Sequence, residues 1–237
     1  MLFCLLFISF TGALFSDNTG YMPGLGTEHI FPDIRENTKN VQLGIRNFYG
    51  IRGTFLSAIS YSQPQFSVEA SFLSLSSYYR RVGISFSLRH EINNIFKTGV
   101  SFNLNRELVP YNENKITFGI SSGINLLPHV NIHAGIYDIP EGTRIPLLVN
   151  IQTERGTTGI IIEGQSGLPL KLLLFQRFTI SKKLRTYIAF STSPNKLVIG
   201  VDISEKRVLF DVFSEIHDVL GQSDGMVVEY TPSKLYN

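Results

Sequence analysis

A short phrase built around glycine recurs along the chain: a glycine, then Ile or Val, then in most copies a small or polar residue. The copies include Gly44-Ile45, Gly83-Ile84, Gly99-Val100, Gly119-Ile120, Gly135-Ile136, Gly159-Ile160 and Gly200-Val201. Each copy lies in a run that alternates apolar with small or polar residues, which is the period of a strand with two different faces. In most copies the glycine falls on the small, polar face. Such strands, repeated from one end of the chain to the other, favour a sheet closed into a barrel around a polar interior.

The run from Arg81 to Arg89 shows the two faces. One face carries Val82, Ile84, Phe86 and Leu88, while the other carries arginine, glycine and serine. In a lipid bilayer this pattern predicts apolar side chains outside and polar side chains inside a barrel. In water the same pattern fits a sandwich with one wet face, so the pattern alone leaves both folds open.

The alternation predicts about fourteen strands, an even number typical of bacterial outer-membrane barrels. They are expected at 41–49, 52–62, 65–75, 80–90, 96–105, 114–123, 129–138, 144–153, 156–164, 169–180, 183–192, 195–203, 206–214 and 224–231. The connections are too short for crossover helices, so the predicted sheet is antiparallel and up-and-down.

Two stretches depart from the alternation. Residues 160–162 are three isoleucines, and residues 172–175 read Leu-Leu-Leu-Phe. Both are apolar on both faces, so we expect protein rather than water to pack the lumen beside them. A soluble β-sandwich explains these stretches more simply than a barrel does.

The chain before residue 41 differs from the rest. An apolar run, 2–10, is followed by Thr11-Gly12-Ala13, small residues of the kind that signal peptidase accepts, so residues 1–16 are expected to be a signal peptide. A buried N-terminal strand or helix is the alternative. Residues 17–40 are rich in Gly and Pro and are expected to form an extension or a plug, and residues 41–237 the barrel.

Composition excludes several classes of protein. Hydrophobic residues make up 43% of the 237 positions and charged residues 17%, which is too apolar for a disordered chain. The net charge of +2 gives no reason to expect a nucleic-acid partner. The single cysteine, Cys4, lies in the first apolar run, so neither a disulfide scaffold nor a thiolate metal site is expected.

Candidate chemistry is sparse. His129 and His133 are four residues apart, which on a strand separates them by roughly 13 Å, too far to share a metal ion. The sequence contains no nucleophile elbow, P-loop or dinucleotide fingerprint. Asp202 and Asp211, on adjacent predicted strands, are expected to form salt bridges across the lumen with Arg185 and Arg207. We therefore predict no enzymatic activity, no cofactor and no metal.

The predicted register points a set of charged side chains into the lumen. They are Arg46, Glu69, Arg81, Arg89, Lys97, Lys115, His133, Lys171, Arg177, Arg185, Asp202, Arg207, Asp211 and Glu229. Basic groups outnumber acidic ones, so an open lumen is expected to favour anions. The alternative is a packed lumen in which these charges only pair with one another.

Part of the chain resembles a known family. The hairpin VGISFSLRHEINNIFKTGVSFNL at 82–104 is similar to hairpins of the FadL-like and PorV/PorQ-type outer-membrane barrels. The segments SPNKLVIGVD at 193–202, VLFDV at 208–212 and HDVLG at 217–221 are similar to their closing strands. The resemblance covers most of residues 80 to 230 and implies a fourteen-stranded barrel in the outer membrane. It implies no substrate, because those proteins are longer and carry larger loops.

Together these observations predict a non-enzymatic outer-membrane β-barrel that serves as a small pore, a transporter or an assembly component. Its expected partners are outer-membrane lipid, a small anionic or apolar solute, and other envelope proteins. The alternative is a secreted, soluble β-sandwich that acts as a binding or adhesin-like module. The two differ in where the apolar faces point, outward in the barrel and inward in the sandwich.

Overall fold

A computed structural model describes residues 39–232, apart from positions 77, 94, 110, 111, 128, 141 and 194. It contains fourteen strands: β1 (Asn40–Asn47), β2 (Thr54–Ser62), β3 (Phe66–Leu75), β4 (Tyr79–Glu91), β5 (Phe96–Val109), β6 (Asn114–Leu127), β7 (Val130–Ile139), β8 (Arg144–Thr153), β9 (Gly156–Gln165), β10 (Lys171–Thr179), β11 (Leu184–Thr192), β12 (Asn195–Glu205), β13 (Val208–His217) and β14 (Gly221–Tyr230). Across these ranges no helix is long and apolar enough to cross a membrane. The predicted signal peptide and nearly all of the predicted extension lie outside the described residues.

The strands form one closed barrel in which each pairs antiparallel with its neighbours in sequence. The first and last strands close the ring, with Val41 opposite Tyr230 and Asn47 opposite Asp224. Closure leaves no free sheet edge, so backbone donors and acceptors along the wall have partners in the ladder. The predicted all-β, antiparallel, up-and-down barrel of fourteen strands is confirmed.

The direction of the apolar side chains separates the barrel from the sandwich. Outward positions on successive strands carry exposed Leu43, Ile59, Ile84, Val100 and Ile120, and the pattern continues around the ring. The opposite face of the same strands is mostly buried and holds most of the polar and charged side chains. Apolar residues thus cover the outer surface, as in a barrel in lipid, and the sandwich interpretation is wrong.

We name the two ends of the barrel by the chain termini. The terminal end is where β1 begins and β14 finishes, and the far end is where β1 runs into the turn at 48–53. Turns are short at both ends and use backbone conformations that favour particular residues. Gly156, with φ of 149°, follows one of them, and a Cβ there would lie 1.8 Å from the Arg177 carbonyl oxygen. Only glycine fits at this position.

Most predicted strand boundaries differ from the observed ones by one to four residues, and one of these differences moves a predicted lumen residue. The predicted strand at 206–214 is β13, which begins at Val208 because Lys206 and Arg207 form the turn after β12. Lys206 takes a positive φ of 54°, which reverses the chain in two residues. Arg207 is therefore exposed at the terminal end rather than inside the wall.

The two stretches that are apolar on both faces lie next to each other in β9 and β10. Ile161 pairs in register with Leu173, and both side chains are buried inside the barrel together with Phe175. They join one interior apolar cluster that also contains Leu148 and Tyr187. The lumen beside these strands is packed by protein, as expected, and among the described residues the barrel wall itself supplies this packing.

Candidate functional site

The recurring glycines lie on the inner face, where aromatic rings cover several of them, while Gly83 meets the side chains of Asn105 and Ser71 instead. The inward pattern of each strand includes Gly44, Gly83, Gly99, Gly119, Gly135, Gly159 and Gly200. A Cβ at Gly159 would lie 2.3 Å from the Phe175 ring, and a Cβ at Gly200 would lie 1.8 Å from the Tyr187 hydroxyl. Tyr137 covers both Gly119 and Gly135 in the same way. The missing side chains leave the space that aromatic rings on adjacent strands occupy.

A buried charge cluster lies at the far end, across the seam between the first and last strands. One oxygen of the Glu215 carboxylate lies 2.7 Å from the Arg46 guanidinium and 3.1 Å from Lys196 Nζ, both at ion-pair distance. All three side chains are at most 3% exposed. The Arg46 guanidinium also lies 4.8 Å from the centroid of the Phe48 ring. The attraction between Glu215 and its two basic partners offsets part of the free-energy cost of removing these charges from water.

A second cluster surrounds Arg144 at the start of β8. Its Nε lies 2.6 Å from Asp138, and its Nη1 lies 3.3 Å from Glu163. Glu163 in turn lies 3.8 Å from Lys171 Nζ. The cluster links β7, β8, β9 and β10 inside the far end of the barrel and places two bases beside two acids.

A third cluster lies towards the terminal end. Asp202 is fully buried, and one of its oxygens lies 3.3 Å from Arg185 Nε and 3.7 Å from Arg177 Nε. Asp211, directly opposite Asp202 in register, accepts a hydrogen bond of 2.6 Å from the Tyr187 hydroxyl. The predicted bridge from Asp202 to Arg185 is present, but it joins adjacent strands rather than opposite walls. Arg207 lies in the turn after β12 and outside this cluster.

The seam also carries a hydrogen-bond network that joins one carboxylate to amide and hydroxyl side chains. Glu229 on β14 accepts from the Asn40 side chain at 3.3 Å and from the Gln42 side chain at 2.9 Å, both on β1. Gln42 accepts in turn from the Ser60 hydroxyl at 3.1 Å. Side chains as well as the ladder thus hold the first and last strands together.

The remaining predicted residues lie on β3 to β7. Lys115 pairs with Glu107 at 3.0 Å, and Glu107 also accepts from the Tyr79 hydroxyl at 3.1 Å. Arg89 donates to the backbone carbonyls of Gln63 and Phe66 in the adjacent turn.

Three further predicted positions complete this region. Arg81 lies opposite Glu107 in register, and Glu69 is buried on β3. The His133 ring on β7 covers Gly123. The predicted set therefore separates into several groups distributed around the wall, rather than forming one central constellation.

Sequence reasoning missed several charged residues inside the barrel: Glu107, Asp138, Arg144, Glu163, Lys196 and Glu215. All six lie within two residues of a strand end, where predicted boundaries are least certain. Lys196 and Glu215 follow the alternation of Asp202 and Asp211 along β12 and β13. Lys196 lies inside the predicted strand 195–203, and extending the predicted strand 206–214 to its observed end would have added Glu215.

In the three charge clusters, most charged side chains are neutralised by an opposite charge instead of being exposed as reactive groups. Within the part of the chain that the structure describes, no three His, Cys, Asp or Glu side chains are placed to hold a metal ion. The carboxylates of the three clusters face guanidinium, ammonium or phenol groups at hydrogen-bond or ion-pair distance. Chemically, this lumen can hold charges in fixed positions and offer hydrogen bonds to a solute.

Comparison with solved structures relates this barrel to outer-membrane proteins. No protein-family model matches the sequence, and no curated protein matches it. The outer-membrane protein Omp33 of Acinetobacter baumannii is similar in structure, with a TM-score of 0.58 and 9% identity over 83% of this chain and 100% of that chain. The KdgM porin is similar with a TM-score of 0.51 and 9% identity, over 81% of this chain and 98% of that one. The chain thus has the fold of outer-membrane porins, and this fold supports an outer-membrane location.

Proposed function

We propose that this chain is a passive channel of the outer membrane that lets small hydrophilic solutes through without chemical change. The observation that carries the proposal is the closed wall with an apolar outer face and a largely polar inner face. The outer face matches lipid, and the closed ladder satisfies the backbone within it. A polar inner face offers a solute a route that the bilayer does not.

The fold of the porin neighbours supports the same proposal, since theirs is also a barrel of the outer membrane. The charged side chains support a channel over an enzyme, because their main contacts are with opposite charges in the wall. In a channel of this kind, fixed charges and hydrogen-bonding groups select the solute, and concentration differences drive it.

The resemblance of 82–104 and the closing strands to FadL-like and PorV/PorQ-type barrels supports a finer proposal, that the chain is a short member of that group. The hairpin in question is formed by β4 and β5, paired from Arg80–Val109 to Glu91–Lys97. This finer proposal concerns the family of the chain and implies no substrate.

Planar bilayer recording tests the channel. The full chain, folded into detergent and added to one side of the bilayer, is expected to produce discrete steps of current in potassium chloride. A variant without residues 17–40 is recorded beside it. Current from both proteins supports an open channel, and current from the shortened protein alone identifies residues 17–40 as a plug. Silence from both would overturn the channel and favour a structural or assembly role.

A further inference from the structure

The inner wall has two unlike halves. From Lys97 to Glu107 on β5 and from Lys115 to Asn125 on β6, the inward residues include no apolar side chain: along β6 they are Lys115, Thr117, Gly119, Ser121, Gly123 and Asn125. The flanking strands β4 and β7 place only Tyr79 and Tyr137 in the interior apolar cluster, both at the far end. The rest of the cluster comes from β8 to β14, from β2 and β3, and from the turn after β1. We call the inner faces of β4 to β7 the polar wall.

The two halves also differ in the room they leave for water. On β1, β2 and β11 to β13 nearly every inward side chain is buried, including polar ones such as Ser60 and Ser191. On the polar wall, Ser85 and Asn103 in mid-wall keep part of their surface accessible although they point inward. So do Lys115 towards the far end and Lys97 at the terminal end. Between the middle of the polar wall and its terminal end, the inward side chains of Ser87, Ser101 and Ser121 are buried. The partly accessible inward positions therefore lie in the middle and at the two ends of the wall.

The charge of the polar wall is positive. The inner faces of β4 to β7 carry the four bases Arg81, Arg89, Lys97 and Lys115 against the three acids Glu91, Glu107 and Asp138, of which Asp138 pairs with Arg144. Glu107 is already engaged by Lys115 and by the Tyr79 hydroxyl.

Lys97 differs from the other basic residues of the polar wall because its side chain is partly accessible and also has no bound partner among the described residues: Arg81 is buried, Lys115 pairs with Glu107, and Arg89 bonds to backbone carbonyls. Glu91 lies opposite Lys97 in register at the strand end, yet Lys97 makes neither an ion pair nor a hydrogen bond with any residue that the structure describes. Its neighbour across Gly123 is the His133 ring, another nitrogen base rather than an acid. An ammonium in partial contact with water and without a bound carboxylate attracts anions from solution.

We propose that solute passes along the polar wall rather than through the centre of the barrel, that the solutes it admits are small hydrophilic anions, and that Lys97 sets this preference. The proposal rests on the proposed channel function and specifies its route and its substrate class. The apolar half then acts as a packed support, and Asn103 and Asn105 offer hydrogen bonds along the route. Paired charges such as Arg46 and Glu215 contribute little to selection, because they are buried and neutralised.

Cysteine accessibility tests the route. The only native cysteine is Cys4, so Cys4→Ser provides a cysteine-free background. Ser85→Cys and Asn103→Cys place a thiol on the polar wall, and Ser60→Cys and Ser191→Cys place one on the opposite half as matched controls. Each protein is treated with a sulfonated methanethiosulfonate while current is recorded, and the modified fraction is measured by mass spectrometry.

Modification and loss of current are expected at Ser85→Cys and Asn103→Cys and not at the controls. Equal modification of both halves, or modification of the controls alone, would overturn the route. Since labelling is measured independently of current, the route is tested even in a silent protein. Wild-type silence together with a labelled polar wall would reject the channel and leave only a water-filled cleft.

Reversal potentials in a potassium chloride gradient test the substrate class. Wild type is expected to favour chloride, and Lys97→Glu to shift the reversal potential towards that of potassium. Lys206→Glu, with the same charge change in the turn after β12, is the control and is expected to leave the potential close to wild type. A cation-selective wild type, or equal shifts in both variants, would overturn anion selection by Lys97 and leave the channel itself standing.

Discussion

At the scale of single residues, the interior depends on the fit between glycines and rings. Tyr187 lies over Gly200, Phe175 over Gly159 and Phe213 over Gly225, each pair on adjacent strands. Close packing makes such sites sensitive to one added methyl group. In several copies, the glycine of the recurring phrase therefore marks a position on the inner wall over which an aromatic ring of an adjacent strand lies.

Gly200→Ala is expected to destabilise the barrel by about 1–3 kcal/mol, because the new Cβ would overlap the Tyr187 ring. Gly164→Ala is the matched control, since a Cβ at Gly164 meets nothing within 4 Å. Urea unfolding in lipid vesicles measures both. In a Tyr187→Ser background the cost of Gly200→Ala should largely vanish, and an undiminished cost there would show that the ring is not the cause.

Buried and exposed ion pairs should respond very differently to loss of a carboxylate. Glu215→Gln leaves Arg46 and Lys196 buried without their shared anion and is expected to cost about 3–5 kcal/mol in unfolding free energy. Glu205→Gln removes the partner of Lys183 at an exposed position and is expected to have no measurable effect. Similar losses in the two variants would contradict the buried cluster.

At the scale of elements, β10 shows what the alternation of apolar and polar residues can and cannot predict. Its apolar stretch hides the alternation, because Leu173 and Phe175 fill the interior while Leu174, 46% exposed, faces outward. The pattern alone was compatible with a packed lumen but was explained more simply by a soluble sandwich. Only pairing in register with β9 and β11 identifies which leucine lies inside.

Leu174→Lys tests the outward face of β10 in lipid. A lysine there is expected to cost about 2–4 kcal/mol of folding free energy in vesicles, as for charges placed deep in the lipid-facing wall. Leu170→Lys, in the turn before β10, is expected to cost far less. If the two variants fold equally well in vesicles, Leu174 does not face the bilayer core.

At the scale of the whole molecule, most of the architecture was predictable. Strand number, antiparallel order and the polar inner face follow from the alternation and the short turns. Apart from the bridge between Asp202 and Arg185, the partners inside the lumen were not predicted, because contacts such as Arg46 with Glu215 join residues far apart in sequence. Arg207 shows the limit of prediction at the scale of a few residues. Its strand begins two residues later than predicted, so Arg207 lies in the turn and not on the inner wall.

A closed fourteen-stranded ladder predicts heat-dependent migration on a gel. The membrane-embedded protein should resist washing with urea, and unboiled samples in dodecyl sulfate should run at a different position from boiled ones, because the ladder without edges stays folded until heated. Glu215→Gln should lower the temperature of this change. Release by urea, or a single position with and without boiling, would contradict the barrel in its membrane.

The closing seam has a consequence for the order of events during folding. Asn40 and Glu229 contact each other across 189 positions of sequence, and the Arg46–Glu215 pair spans nearly as much. A contact between residues so far apart in sequence forms late, and only after the second of the two residues has been synthesised. Until β14 arrives, β1 has an unpaired edge on one side, which would pair with other chains in solution. The emerging polypeptide therefore depends on being kept unfolded and unaggregated during export, and the lumen comes into existence only in the last step of assembly.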